Sequence, residues 1–423
     1  MDDLREIFVS PNKQRTETIN VTSQLATPAR PTATQSPSSA TNEFDDLICF
    51  SHLRWNFVYQ RPQHLLSRAA QRWRVWYIEE PEWSDAPGLS IRSVSPRLSV
   101  VVPQLPHGTS PEQAIELQRT LIDTLLAEQH IQQYALWYYT PMALPFSHHL
   151  RPQLTVYDCM DELSAFLGAP KPLLDQERQL MSRADLVFTG GYSLYEAKQQ
   201  RHPQVFAFPS CIDYNHFSKA RTSATASGLP DPADQQAIPG PRIGYSGVID
   251  ERLDLVLLGE LARRNPNWQF VLLGPIVKIN PDHLPKGPNL HYLGMKAYDE
   301  LPTYFSNWQA AMMPFAINEA TRYISPTKTP EYLAAGLPVV STPIRDVLRT
   351  YGAWEQVVIA DSVSAFESGL SAMLTGSANQ DAEPAELDRF LRDQSWDNTW
   401  QQMQRILRSQ LNSSARQRTS STV

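Results

Sequence analysis

The chain has 423 residues, enough for two domains with full cores. Apolar residues make up 42% and charged residues 19%, the balance of a globular protein, and a net charge of −7 argues against any general affinity for nucleic acid. Cys49, Cys159 and Cys211 lie far apart with no metal-ligand spacing, so they read as reduced cytoplasmic thiols rather than a disulfide framework. No apolar run approaches the ~20 residues of a membrane-spanning helix. The acidic start from Met1 to Glu6 lacks the apolar region of a signal peptide, so the expectation is a cytoplasmic protein.

Residues 1–43 are rich in Thr, Ser, Pro, Asn and Gln and are expected to be disordered. From residue 44 short β runs alternate with helical patterns, which predicts parallel sheets in an α/β architecture. Strands are expected at Leu47–Phe50, Val75–Ile78, Ser99–Val102, Ala135–Tyr138, Thr155–Tyr157, Leu186–Phe188 and Val205–Phe208. Helices are expected at Pro62–Arg72, Pro111–Glu128 and Leu173–Arg183. This first domain spans 44–220. Residues 221–241 hold Ser, Ala, Pro, Asp and Gly with little apolar content and read as a linker. A second α/β series fills 242–395, with strands at Ile243–Tyr245, Phe270–Leu273, Leu290–Leu293, Ala310–Met313, Val339–Ser341 and Gln356–Ile359. An amphipathic helix is expected over 396–411, and 412–423 read as a second disordered tail.

The stretch from Pro314 to Pro343 carries the most chemistry. It reads as strand end, loop, short helix, glycine stop and second strand. Ser325 and Pro326 stand where a helix would begin, as cap and first-turn proline. Lys328 and Glu331, three apart, share one helix face. Gly336 closes the helix, with Pro338 just beyond. Free N–H groups, a cation and a carboxylate at one helix start suit a nucleoside diphosphate: the first two hold phosphates, and the third accepts hydrogen bonds from ribose hydroxyls.

The run Glu331 to Val340, E-Y-L-A-A-G-L-P-V-V, resembles the donor-site helix of GT-B glycosyltransferases, especially the large retaining group (family 4) that uses nucleotide sugars. That group often carries two Glu residues eight positions apart; Glu331 matches the second, and Tyr323 stands in place of the first. The longer pattern S-P-x-K-x-x-E-Y-L-A-A-G, Ser325 to Gly336, resembles a bacterial branch linked to exopolysaccharide and teichuronic-acid-type synthesis. The resemblance implies two Rossmann-like domains facing a cleft, with the last helix returning to the first domain. It implies a UDP- or GDP-linked sugar donor, a saccharide or lipid-linked saccharide acceptor, and retained anomeric configuration. It implies no cofactor and no metal, because the helix terminus and basic side chains neutralise the leaving diphosphate. A lipid-linked acceptor would be met by peripheral contact at the inner face of the membrane.

Other candidates follow from position. Gly247 and Arg252 lie in the turn after the first strand of the second domain, where a donor phosphate approaches backbone; capping by Asp250 and Asp254 is the plainer reading of that loop. Gly274 follows the next strand and is either a donor contact or a tight turn. Asn318 and Glu319 precede the donor helix and are candidates for contacts with the sugar, Glu319 as a catalytic carboxylate. In the first domain, His52, Trp55 and Arg61 follow the first strand and are candidates for the acceptor, with core packing as the alternative for Trp55. Asp158 and Asp161 read as cleft residues rather than metal ligands, and Asp161 either orients an acceptor hydroxyl or caps the next helix. Two functions of different class stay open beside transfer: a nucleotide-sugar epimerase on the same fold, and a non-catalytic nucleotide-sugar-binding protein, which the Tyr323 position permits.

Overall fold

A computed structural model describes residues 44–224, 229–376 and 384–420. The expected tail 1–43 and residues 225–228 of the expected linker lie outside the described residues.

Nine strands form the first sheet: β1 Asp46–Phe50, β2 Arg74–Ile78, β3 Glu82–Ser84, β4 Gly88–Ser95, β5 Leu98–Pro106, β6 Tyr134–Tyr138, β7 Leu154–Cys159, β8 Leu186–Thr189 and β9 Val205–Ala207. Their order is β3-β5-β2-β1-β6-β7-β8-β9, all parallel, with β4 pairing antiparallel on β5. The strands β1 and β6 are buried along their whole length, so both faces must be covered, and they read as continuous apolar runs. The expected strands are all present. Two were not foreseen: β3 has only three residues, and β4 sets Leu89, Ile91 and Val94 among polar residues on an exposed edge, a weaker pattern than the buried apolar runs.

Six parallel strands form the second sheet: β10 Arg242–Ser246, β11 Gln269–Leu273, β12 Leu290–Gly294, β13 Ala310–Met313, β14 Val339–Ser341 and β15 Val357–Ile359, in the order β12-β11-β10-β13-β14-β15. Strand order reverses between β1 and β6 in one sheet and between β10 and β13 in the other. Ligands of open α/β sheets bind at such points, outside the carboxyl ends of the strands.

The two carboxyl edges face each other. Tyr192 and Ser193, after β8, donate backbone N–H groups to Asp346 of the second domain at 2.8 and 3.0 Å. The Phe166 ring, after β7, lies 5.6 Å from the Arg252 guanidinium and 5.0 Å from the Lys278 ammonium. The chain then returns to the first domain. Ile212 and Ser395 form a parallel bridge, and the helix that begins at Trp396 buries Trp396, Trp400 and Met403 in the first core, with Trp396 stacked on His64 at 4.6 Å. That helix runs on to Ser420, past the expected end at 411 and through most of the tail expected to be disordered.

Candidate active site

The donor helix runs Lys328–Ala334 and starts two residues later than its sequence suggests. Thr327 is its cap and makes no side-chain capping bond. Ser325, expected as the cap, instead accepts a hydrogen bond from the Ser210 N–H of the first domain at 3.4 Å. Lys328 therefore stands at the helix start. Its ammonium is 2.9 Å from Glu331, on the shared face that their spacing predicts. Gly336 has φ +83°, the left-handed stop expected after the helix. Tyr332, fully buried, donates its hydroxyl to the Ser246 carbonyl and accepts from the Ser246 N–H at 2.7 Å, which ties this helix to the end of β10.

The loop after β10 carries Gly247 and Arg252. Gly274, after β11, has φ +139°, and a Cβ there would lie 1.9 Å from the Gly247 carbonyl oxygen. Glycine at 274 is thus required by contact between two loops, a structural reason that its sequence position alone does not reveal. Arg252 is held by Asp250 through bonds of 2.6, 2.9 and 3.0 Å. Beside it stands Lys278, a residue that sequence reasoning missed. It takes a left-handed backbone, φ +61°, at the carboxyl edge after β11, and its ammonium lies 3.9 Å from Glu251. No motif marks it; only its place, four residues beyond Gly274 in a cleft loop, could have drawn notice.

Asn318 and Glu319 lie in the loop before the donor helix. Asn318 closes a turn with Thr321 through reciprocal bonds of 3.1 Å. The Glu319 side chain is 72% exposed and pairs with Arg322 at 3.4 Å, so it does not join the charged group at the domain junction. Tyr323 packs against the core of the first domain.

On the first domain's edge, two of the three acceptor candidates, Trp55 and Arg61, make contacts that hold the fold together. Trp55 is buried in the core of the first domain and meets Tyr77 edge-on at 5.0 Å, the packing that was the alternative reading. Arg61 is also buried. It pairs with Asp158 at 2.8 Å and donates to the Phe208 carbonyl at 2.8 Å, tying the start of the helix Arg61–Ala69 to the ends of β7 and β9. Asp158, fully buried against Arg61, is committed to that pair. His52 lies buried at the junction, where burial and then the charge of Lys278 push its imidazole down to about 4, so it is neutral at pH 7.

Asp161 is half-buried between the domains. Burial pushes its carboxyl up to about 6, while the charges of Arg252 and Arg61 pull it down, Asp250 raises it and Lys278 lowers it. These groups come from both domains, so Asp161 marks where the two edges converge. Glu80, two residues after β2 on the same edge, is another residue missed from sequence; burial pushes it up to about 7 against the opposing charge of Arg54. A separate groove of about 530 Å³ bridges the domains and is lined by Tyr59, His64, Asp213, His216 and Tyr298.

This is the architecture of GT-B glycosyltransferases, and the resemblance read from the donor helix holds. A family model described as glycosyl transferase-like matches residues 255–405. The chain is similar to a protein of Bacillus subtilis (strain 168) that carries the name of a teichuronic acid biosynthesis glycosyltransferase, at 26% identity over 239 residues, 52% of this chain and 59% of that protein. The match thus spans about three fifths of that relative. Among solved structures, sucrose-phosphate synthase from Thermosynechococcus elongatus superposes with a TM-score of 0.60 at 15% identity, over 87% of this chain and 100% of that one. A UDP-forming α,α-trehalose-phosphate synthase from Burkholderia xenovorans gives a TM-score of 0.62 at 13% identity, over 88% and 99%.

Proposed function

We propose that the chain is a hexosyltransferase that moves a sugar from a nucleoside diphosphate to a hydroxyl of a saccharide or lipid-linked saccharide, in the synthesis of a bacterial cell-surface polysaccharide. One observation carries this reading. The cations Lys328, Arg252 and Lys278 and the carboxylates Glu331 and Asp161 gather along the facing carboxyl edges of two parallel sheets. Lys328 and Arg252 would hold the diphosphate, and Glu331 would bind the ribose. Both cations are paired with acids of their own segment yet keep 16% and 24% of their side-chain surface exposed, so a diphosphate can bind beside those acids.

In the transfer, the bond from the anomeric carbon to the phosphate oxygen breaks as the acceptor oxygen bonds to that carbon. The leaving diphosphate keeps the electron pair, and the cations stabilise its charge. Asp161, largely ionised at pH 7, would accept a hydrogen bond from the acceptor hydroxyl and orient it. On a retaining course the acceptor approaches from the leaving-group side, and the departing phosphate can take the proton. UDP is the favoured nucleotide, with the UDP-forming synthase of similar fold as support. No metal is needed in this scheme. Among the described residues no helix is long and apolar enough to cross a membrane, and a lipid-linked acceptor would be reached by peripheral contact.

A screen of nucleotide sugars by thermal shift identifies the donor, since a ligand of the folded state raises the melting temperature. Incubation with that donor, with and without acceptor, then decides among functions. Acceptor-dependent release of nucleoside diphosphate supports transfer. Conversion of donor without acceptor would mean epimerisation, and binding without turnover a non-catalytic role.

A further inference from the structure

Asp161 is carried by a short segment between β7 and the helix Leu173–Arg183. Three tethers hold that segment. Asp158 is locked to Arg61 at one end. The Cys159 thiol donates to the Asp161 carbonyl at 3.5 Å. The third tether is Glu162, the next residue, whose carboxylate lies 2.6 Å from the ammonium of Lys198.

Lys198 is an unusual residue for its place. It is 1% exposed, the last residue of the helix Tyr192–Lys198, and its ammonium is also 2.6 Å from Glu177. A buried ammonium is costly unless it is paired, and here it has two carboxylates. The two are not equivalent. Glu177 also holds Arg201 at 2.8 Å and the Tyr157 hydroxyl at 3.1 Å. The other oxygen of Glu162 takes only the hydroxyl of Ser164, at 2.7 Å, from its own segment. What Lys198 alone supplies is a link from the helix to the neighbour of Asp161.

The other end of the same helix is gripped by the second domain. Asp346 receives the N–H groups of Tyr192 and Ser193 and the Ser193 hydroxyl, the last at 2.5 Å. A Cβ at Gly191 would lie 2.4 Å from an Asp346 oxygen, so this approach depends on glycine. A seven-residue helix therefore touches the opposing domain at its start and the Asp161 segment at its end.

We propose that Lys198 is a positioning residue: through Glu162 it sets Asp161 for the acceptor, and its helix links that setting to the Asp346 contact with the second domain. The inference rests on the role given to Asp161 above. It adds a residue that touches neither donor nor acceptor.

The variants Lys198→Met and Glu162→Gln test it, alone and together. Met keeps the buried volume without a charge, and Gln keeps the shape of Glu162. Each should leave donor affinity and donor KM unchanged and lower kcat by about tenfold to a hundredfold, the scale of a small misplacement of a reacting group. The double variant should be no slower than the worse single one, because both remove the same link. Hydrogen–deuterium exchange should quicken across residues 160–166 in Lys198→Met and stay unchanged in the donor helix. Unchanged kcat in folded variants, or equal losses in donor affinity and kcat, would overturn the proposal. Absence of any turnover in the wild type would defeat the transferase reading instead. Even then, unchanged exchange at 160–166 would refute the link between Lys198 and that segment.

Discussion

The two edges of the cleft hold their charges differently. On the second domain Arg252 pairs with Asp250, two residues away, and Lys328 with Glu331, three away, while Lys278 reaches Glu251 in the neighbouring loop. On the first domain the pairs join distant parts of the chain: Arg61 with Asp158, and Lys198 with Glu162 and Glu177. The side chains of Arg252 and Lys328 stay 24% and 16% exposed, so each can take a ligand phosphate beside its acid. Those of Arg61 and Lys198 are 5% and 2% exposed, and breaking their pairs leaves charge inside the core. One edge is thus open to a further anionic partner, and the other is built to stay fixed and present Asp161.

The sharpest way to break this comparison is at Arg61. Arg61→Ala leaves Asp158 fully buried without its cation, and the cost should be about 3–5 kcal/mol of stability. Urea unfolding measures it. A change below about 1 kcal/mol, within the range of an exposed pair, would contradict the structural role assigned to this edge.

Lys328→Ala should do the reverse. Loss of a charge-assisted contact of roughly 1.5–3 kcal/mol weakens donor binding about tenfold to a hundredfold. The stability loss should be smaller than at Arg61. Calorimetric titration with the donor reads the first effect and urea unfolding the second. Wild-type donor affinity in Lys328→Ala would remove this residue from the diphosphate site.

Asp161 gives the comparison a pH dependence. Burial pushes its folded carboxyl up to about 6, above the ordinary aspartate value of about 3.9. Between those values the folded state binds more protons than the unfolded state, so Asp161 lowers stability as pH rises from about 4 to about 6. Asp161→Asn should therefore raise the melting temperature at pH 7, have no such effect at pH 3, and abolish most transfer. In the wild type, kcat should fall as pH drops through about 6. A melting temperature at pH 7 no higher than wild type would show that the carboxylate is not held against burial.

Chelation should have the smallest effect. Treatment with EDTA should leave turnover within about twofold, because protein cations and the helix start stabilise the leaving group. Complete loss restored by magnesium or manganese would bring Asp161 back as a metal ligand.

The same contrast explains what could be read in the sequence. The second edge is written in contiguous residues: Ser325 to Gly336 carries the Lys328–Glu331 spacing and the glycine stop, and local geometry follows local sequence. Even there, the helix start was misplaced by two residues, because Ser325 turns to Ser210 across the cleft. The first edge is assembled from separate strands. Nothing near Arg61 announces Asp158, and nothing near Trp55 shows that Tyr77 encloses it. Lys278 and Lys198 acquire their places only when the sheets bring loops together. Parallel strands with both faces covered were legible as apolar runs. The exposed β3 and β4 were not, because burial supplies the signal by which a strand is recognised.

The central claim is that these edges together move a sugar between a nucleoside diphosphate and an acceptor hydroxyl. The most direct test follows nucleoside diphosphate release by the wild-type chain from the donor found by thermal shift, with a bacterial saccharide or lipid-linked saccharide present or absent. The account predicts release that depends on acceptor, with one glycosidic bond formed per diphosphate freed. Consumption of the donor without acceptor, or none with any acceptor, would contradict it.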